Sequence, residues 1–336
     1  MSILIHLILA CVSLIVIVFA CVLFTNGIEF LGNKMKLGNN AIGSILAVFG
    51  TGLPETIVPL IALSSTYFSD IKIETAQDIA LGAILGSPFM LGTLALFILG
   101  LVLITKKRDK KVLYVDYKNI LRDYKYFLIA YFIAITFSFV FLRNYKYLAS
   151  IILIVLYIFF VYRTIIQSRA TCTECECEEL YFLKIFKRHE NLVLVLQLIL
   201  SLLLLGAFSH LFVFEIKYFS ILIGVSPVIL ALLIAPFATE LPECINSTIW
   251  LKQNKDDLAI ANIVGAMAFQ AMIPFSIGIG LTNWTFDKLI LTNIFLILFC
   301  SIVFVIILKI KKNITLSMLL GCGLFYFAFL IYIATK

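Results

Sequence analysis

Two six-residue segments share one pattern: Gly50-Thr51-Gly52-Leu53-Pro54-Glu55 and Ala238-Thr239-Glu240-Leu241-Pro242-Glu243. Each sets a carboxylate one residue after a proline, inside an otherwise apolar stretch. An ionisable group at mid-bilayer costs about 2.5–3.5 kcal/mol even on lenient insertion scales, so a chain that places one twice, in matching positions, is expected to handle ions there. Proline removes a backbone donor and clashes with the preceding turn. Pro54 and Pro242 should therefore interrupt their helices and release carbonyls near Thr51 and Thr239. Carbonyls, threonine hydroxyls, Glu55 and Glu243 make an all-oxygen ligand set of the kind hard cations such as Ca²⁺ take, about six to eight oxygens at roughly 2.3–2.6 Å. Glu240 adds a third carboxylate, Ser87 and Gln270 are the polar candidates on neighbouring helices, and Asn246 follows Glu243 by three on one helix face. The four helices involved hold no histidine and one thiol, Cys244, which disfavours zinc or copper. Blander readings stand beside these: Thr51 and Thr239 can bond back to their own helix, Ser87 and Gln270 can hold helices together, and Glu240 can face a water-filled vestibule.

The elements that must position these residues are membrane spans. Of 336 residues 62% are hydrophobic and 13% charged, against about 25% charged in soluble domains. No glycine loop that cradles phosphate is present, and the excess of basic residues sits in loops, so neither a nucleotide nor a nucleic acid partner is expected. The first apolar stretch lacks the basic start and small-residue cleavage site of a signal peptide and is taken as a span. Ten spans of about 20 apolar residues fall near 3–25, 38–65, 76–104, 125–142, 147–167, 191–213, 219–250, 256–281, 288–309 and 315–335. They divide the loops into two sets, one with 20 of the 26 Lys and Arg residues and the other with 6. The basic side is assigned to the cytoplasm, which puts both termini outside the cell membrane and the 168–190 loop inside.

The halves repeat. Glu55 aligns with Glu243, and Asp78 to Ser87 aligns with Asp257 to Ala266. Residues 1–167 form the first five-span unit and 191–336 the second. Five is odd, so the second unit enters the membrane inverted. The fold class expected is all-α, with ten transmembrane helices in two inverted five-helix repeats. Inverted repeats with broken helices at corresponding places mark secondary transporters, with the site near the midplane. Gly82, Gly86 and Gly265 should let the helices around the site approach closely.

Cys11, Cys21, Cys244, Cys300 and Cys322 lie in apolar spans and read as small buried hydrophobes. Cys172, Cys175 and Cys177 stand with Glu174, Glu176, Glu178 and Glu179 in the loop between the units, near His189. That spacing is not a standard zinc set, and a solvated acidic loop is the default, with metal or redox sensing as the rival. The basic run from Lys106 to Lys111 is a topology anchor.

The two Thr-x-Leu-Pro-Glu segments, each followed by a helix opening at Gly86-Ser87 or Gly265-Ala266, resemble the α-repeats of sodium/calcium exchangers in the cation/Ca²⁺ antiporter superfamily. The resemblance covers residues 39–98 and 223–280 at motif level. It implies that Thr51, Glu55, Thr239 and Glu243 form a calcium site and that the first and sixth spans are sliding gate helices. Departures mark a divergent branch: Gly52 and Glu240 replace motif serines, Pro88 and Leu91 replace asparagines, Ala266 replaces a serine, and Gln270 replaces an acid. The central glutamates and threonines are kept, while several oxygens associated with sodium sites are not. The expected function is exchange of Ca²⁺ for Na⁺ by alternating access, with no resident cofactor and no enzymatic chemistry. A proton-coupled divalent exchanger is the alternative, a cation channel the weaker rival, and an intramembrane acid/base enzyme using Glu240 and Glu243 lacks a nucleophile or metal set.

Overall fold

The computed structural model describes residues 3–52, 56, 59–60, 73–106, 111–138, 145–170, 179–183, 190–224, 229, 232–233 and 235–335. Helix α1 is Ile3–Lys34. Helix α2 runs over 39–51, with a π-helical stretch at Ile42–Ala47 between Asn39–Ala41 and Val48–Thr51. Helix α3 covers Ile73–Met90, a π-helical stretch Leu91–Ala95 and Leu96–Thr105. Then come β1 (Val112–Leu113), α4 (Tyr117–Thr136), α5 (Lys146–Ala170), α6 (Glu190–Ile223), α7 (Ala235–Thr239), α8 (Leu241–Lys252), α9 (Asp256–Leu281), α10 (Lys288–Lys311), β2 (Ile314–Thr315) and α11 (Leu316–Ala334).

Seven helices among the described residues are long and apolar enough to cross a membrane: α1, α3, α5, α6, α9, α10 and α11. Helix α4 has the length but carries Lys118, Arg122, Asp123 and Lys125 in its first turns. It starts at Tyr117, earlier than the expected 125, because Asp116 caps it by accepting from the Lys118 amide at 3.0 Å, satisfying one of the orphan donors at a helix start. Helix α6 runs on to Ile223, so residues 219–223, expected in the next span, belong to it. The expected span at 38–65 lies partly outside the described residues, as does the one at 219–250.

Helix α9 is the centre of the molecule. It is almost wholly buried and packs against α2, α3, α4, α5 and α8. Its sequence suits that place, since Ala259, Ala261, Gly265, Ala266, Ala268 and Ala271 allow close contact where lipid-like surroundings give no hydrophobic drive between helices. A Cβ on Gly265 would fall on Cα and Cβ of Ser44 in α2, and one on Gly86 of α3 would fall on the Leu232 carbonyl. These two of the expected close approaches each join a helix of one half to a segment of the other. Helices α1 and α6 pack along each other, and α1 also touches α2 and α8. Exposed Leu, Ile, Val and Phe on α1, α5 and α10 give those helices the apolar outer surface a hydrocarbon environment requires, with backbone polar groups satisfied within each helix.

Polar ties gather at the two ends of the bundle. At one end Lys34 pairs with Glu190 at 3.0 Å, Gly38 donates to Ser168 at 2.6 Å, and Lys106 donates to the Leu251 carbonyl. There too Asp256 and Asp257 accept the Tyr114 and Asp116 amides at 3.0 and 2.7 Å, and β1 pairs antiparallel with β2, Val112 opposite Thr315. At the other end Lys146 donates to the Thr282 carbonyl at 3.2 Å. The loops that the sequence groups on the more basic side thus meet on one face. Within the 168–190 loop, Cys172, Cys175, Cys177 and His189 lie outside the described residues, as do residues 107–110 of the basic run. Of the five other cysteines Cys11 is exposed, contrary to expectation, because its helix face is turned outward; Cys21, Cys244, Cys300 and Cys322 are buried.

Candidate functional site

Helices α7 and α8 meet at Glu240, the turn residue between them. Pro242 lies in the first turn of α8, where its missing amide would have had no helical partner anyway. The interruption is therefore a mild one: the Glu240 amide still reaches the Pro236 carbonyl at 2.9 Å, and the Cys244 amide reaches the Glu240 carbonyl at 3.1 Å. The effect is to place Glu240 and Glu243 on successive elements of one helical column, both without solvent exposure. The equivalent residues Pro54 and Glu55 lie outside the described residues.

Glu243 is the outlying feature. It is completely buried, and among the described residues neither carboxylate oxygen has a hydrogen-bond partner. Carboxylates almost never occupy such a position unpaired. Thr51, buried on α2, lies close enough to interact with the Glu243 carboxylate. Asn246, one turn on, is also fully buried, with both amide atoms unpartnered among the described residues. Glu240 is held differently. Its Oε1 accepts from Gln270 Nε2 of α9 at 2.8 Å, Ser87 of α3 interacts with it, and its Oε2 has no partner among the described residues.

Both threonines bond back to their helices. The Thr51 hydroxyl donates to the Ala47 carbonyl at 3.0 Å, and the Thr239 hydroxyl donates to Pro236 at 3.4 Å. A hydroxyl whose proton is committed to the backbone still has its lone pairs to offer, so back-bonding and cation ligation are compatible. Among the described residues the structure thus brings Thr51, Glu240, Glu243, Ser87 and Gln270 around one region. Thr239 is buried beside Glu240.

A sequence profile for the sodium/calcium exchanger protein matches residues 5–166 and 193–335. The chain belongs to the sodium/calcium exchanger family. Solved structures of the exchanger NCX_Mj share the fold. The one soaked with 2.5 mM Na⁺ and 10 mM Sr²⁺ is 19% identical with a TM-score of 0.74, over 100% of both chains. The one soaked with 2.5 mM Na⁺ and 0.1 mM Ca²⁺ is 20% identical with a TM-score of 0.74, over 99% of both. A comparison with curated protein sequences finds no match. Membership makes this exchanger-family chain a multi-pass membrane transporter, in keeping with its seven apolar helices.

Two residues beside Glu243 and Pro242 were not singled out from sequence. Asn262 of α9 is fully buried and donates through Nδ2 to the Glu243 carbonyl at 3.0 Å and to Ser247 Oγ at 2.9 Å. It fixes α9 to the turn that bears Glu243, while its Oδ1 is unpartnered among the described residues. The available signal was its place in the repeat, where Asn262 stands opposite Ala83. Cys21 of α1 is the other: its thiol lies 3.9 Å from the Pro242 carbonyl, bringing α1 directly against the α7–α8 turn.

Proposed function

We propose that the chain exchanges Ca²⁺ for Na⁺ across a membrane by alternating access, with one divalent ion shared by Glu55 and Glu243. Thr51 and Thr239 supply further oxygens, and Glu240, Ser87 and Gln270 border the ion. The reading includes ten spans in two inverted repeats, both termini outside and the 168–190 loop in the cytoplasm. The close approaches at Gly86 and Gly265 support the repeat, as does the recurrence of π-helical backbone at Ile42–Ala47 and at Leu232 and Leu233. The relatives soaked with Na⁺, Ca²⁺ and Sr²⁺ support the choice of ions.

The unpartnered Glu243 carboxylate carries this proposal. A bare anion in a dry site costs several kcal/mol, and a cation that arrives with each transport cycle removes the cost. Three ionised carboxylates would hold −3, of which Ca²⁺ cancels two, so a proton or a monovalent ion completes the balance. An apolar helix is opposed in sliding over the empty, charged site and released when cations fill it. That asymmetry forbids the empty return and makes exchange obligatory. Proton coupling is the second reading, favoured by Glu240: its carboxyl lies beside Glu243 and is held by a neutral amide, Gln270, rather than by a base.

The test is Ca²⁺ efflux from loaded proteoliposomes. Efflux is expected only with Na⁺, Ca²⁺ or H⁺ on the opposite side, and separate Na⁺ and H⁺ gradients identify the driving ion. Brisk efflux into a medium lacking all three at exchangeable levels would contradict obligatory exchange.

A further inference from the structure

Far along α1 from the carboxylate pair sits a second buried ionisable group that cation exchange does not use. His6 Nδ1 lies 2.6 Å from Glu215 Oε2, joining the start of α1 to the later part of α6. Both side chains are buried, 7% and 1% exposed, and the other Glu215 oxygen has no partner among the described residues. The His6 ring is stacked on Tyr218, with centroids 3.7 Å apart and planes 17° from parallel. The ring is thus held by its neighbour in the orientation that points Nδ1 at the carboxylate.

We propose that His6 and Glu215 form a proton-binding site that clamps α1 to α6 and makes the union of these two helices depend on pH. One proton shared between Nδ1 and Oε2 gives a pair with no net charge and a charge-assisted hydrogen bond. Removing a proton leaves the pair with a net negative charge in an enclosed setting, where a neutral Nδ1–H tautomer still donates to the carboxylate but no longer offsets its charge. Imidazole is the side chain that exchanges its proton in the neutral range, so the clamp is made on the acid side and weakened on the alkaline side. Tyr218 is the other titratable group in contact with the pair among the described residues. On the same elements Cys11 and His210 are exposed, and the Lys217 side chain lies outside the described set.

The site's position gives it a consequence. At the opposite end α1 and α6 are joined by Lys34 with Glu190 and by Gln197, which donates to the Leu23 carbonyl and to Asn26 Oδ1, both at 2.9 Å. Those ties lie at the far end of the helix pair, so His6 and Glu215 are a place where protons bear on how firmly its near end is held together.

The experiment measures the thermal unfolding of detergent-purified full-length protein from about pH 5 to pH 8 in Ca²⁺-free buffer. The wild type is expected to lose on the order of 2 °C or more as pH rises. His6→Gln and Glu215→Gln should each make that profile shallower by the same amount, the remaining slope belonging to other buried carboxylates such as Asp123, and the double variant should match either single one. Tyr218→Phe, which keeps the stacked ring, should keep the wild-type profile. The proposal is overturned if Glu215→Gln keeps the wild-type pH dependence, or if the effects of the two single variants on the profile add. Because no calcium is present, the outcome is separate from whether Glu243 binds a cation.

Discussion

Replacing Glu243 by glutamine is expected to abolish calcium transport while leaving the Ca²⁺-free protein at least as stable as the wild type. The two effects share a cause. In the empty protein the Glu243 carboxylate is wholly enclosed and unpartnered, a state that charges the fold with a desolvation cost. An amide of nearly equal shape has no formal charge to desolvate, so the fold is relieved. With the ion present the same charge is the attraction, and removing one partner of an enclosed charge pair costs about 3–5 kcal/mol, on the order of 100-fold or more in affinity. Uptake of radioactive calcium into proteoliposomes and thermal unfolding without calcium measure the two effects. A variant that loses transport only because it unfolds would show a lowered melting temperature, and that outcome would remove Glu243 from the proposed ion site.

A second large effect is expected from a single methyl group. Gly265→Ala puts a Cβ onto the backbone and Cβ of Ser44. Helix α9 is enclosed on nearly all sides, so it has little room to move away, and α2 must shift instead. Overpacking of this kind costs typically 1–3 kcal/mol and more where backbone is struck. Because α2 ends at Thr51, beside Glu243, the displacement also moves a proposed ligand. The expected result is a melting temperature lowered by several degrees together with a severe loss of transport. Gly206→Ala is the control: a Cβ there meets nothing within 4 Å, and replacing a helical glycine by alanine is neutral or mildly stabilising. Equal stability of the two variants would show that α2 and α9 do not make the contact described.

The sequence made the membrane class and much of the candidate site legible, because both are written in local patterns. Apolar runs of span length identify α5, α10 and α11 within a few residues, α9 was expected at the bounds it has, 256–281, and α1 starts where expected but runs on to Lys34, past the expected end at 25. The repeated Thr-x-Leu-Pro-Glu segment pointed to Glu240 and Glu243 before any geometry was known. Three features were not legible, each for a tertiary reason. Helix α6 extends past 213 although it carries Glu215 in its later part, because His6 of another helix pairs with that carboxylate. Glu240 is held by Gln270, thirty residues on, and composition does not reveal which of several buried amides will face it. The role of Asn262 rests on α9 crossing α8 where the Glu243 carbonyl is within reach. Pro242 was expected to break its helix, and the helix is interrupted at Glu240; the interruption is a single residue, since Pro242 falls in a first turn where its lack of an amide is harmless.

The central claim, that Glu55 and Glu243 hold one divalent ion between them, is tested most directly by counting calcium on the purified protein. Titration calorimetry on the wild type, Glu55→Gln, Glu243→Gln and the double variant is the measurement. One high-affinity Ca²⁺ per wild-type chain is predicted, lost in either single variant and no further reduced in the double. Retention of wild-type affinity in either single variant, or two independent calcium ions each removed by a different substitution, would contradict it.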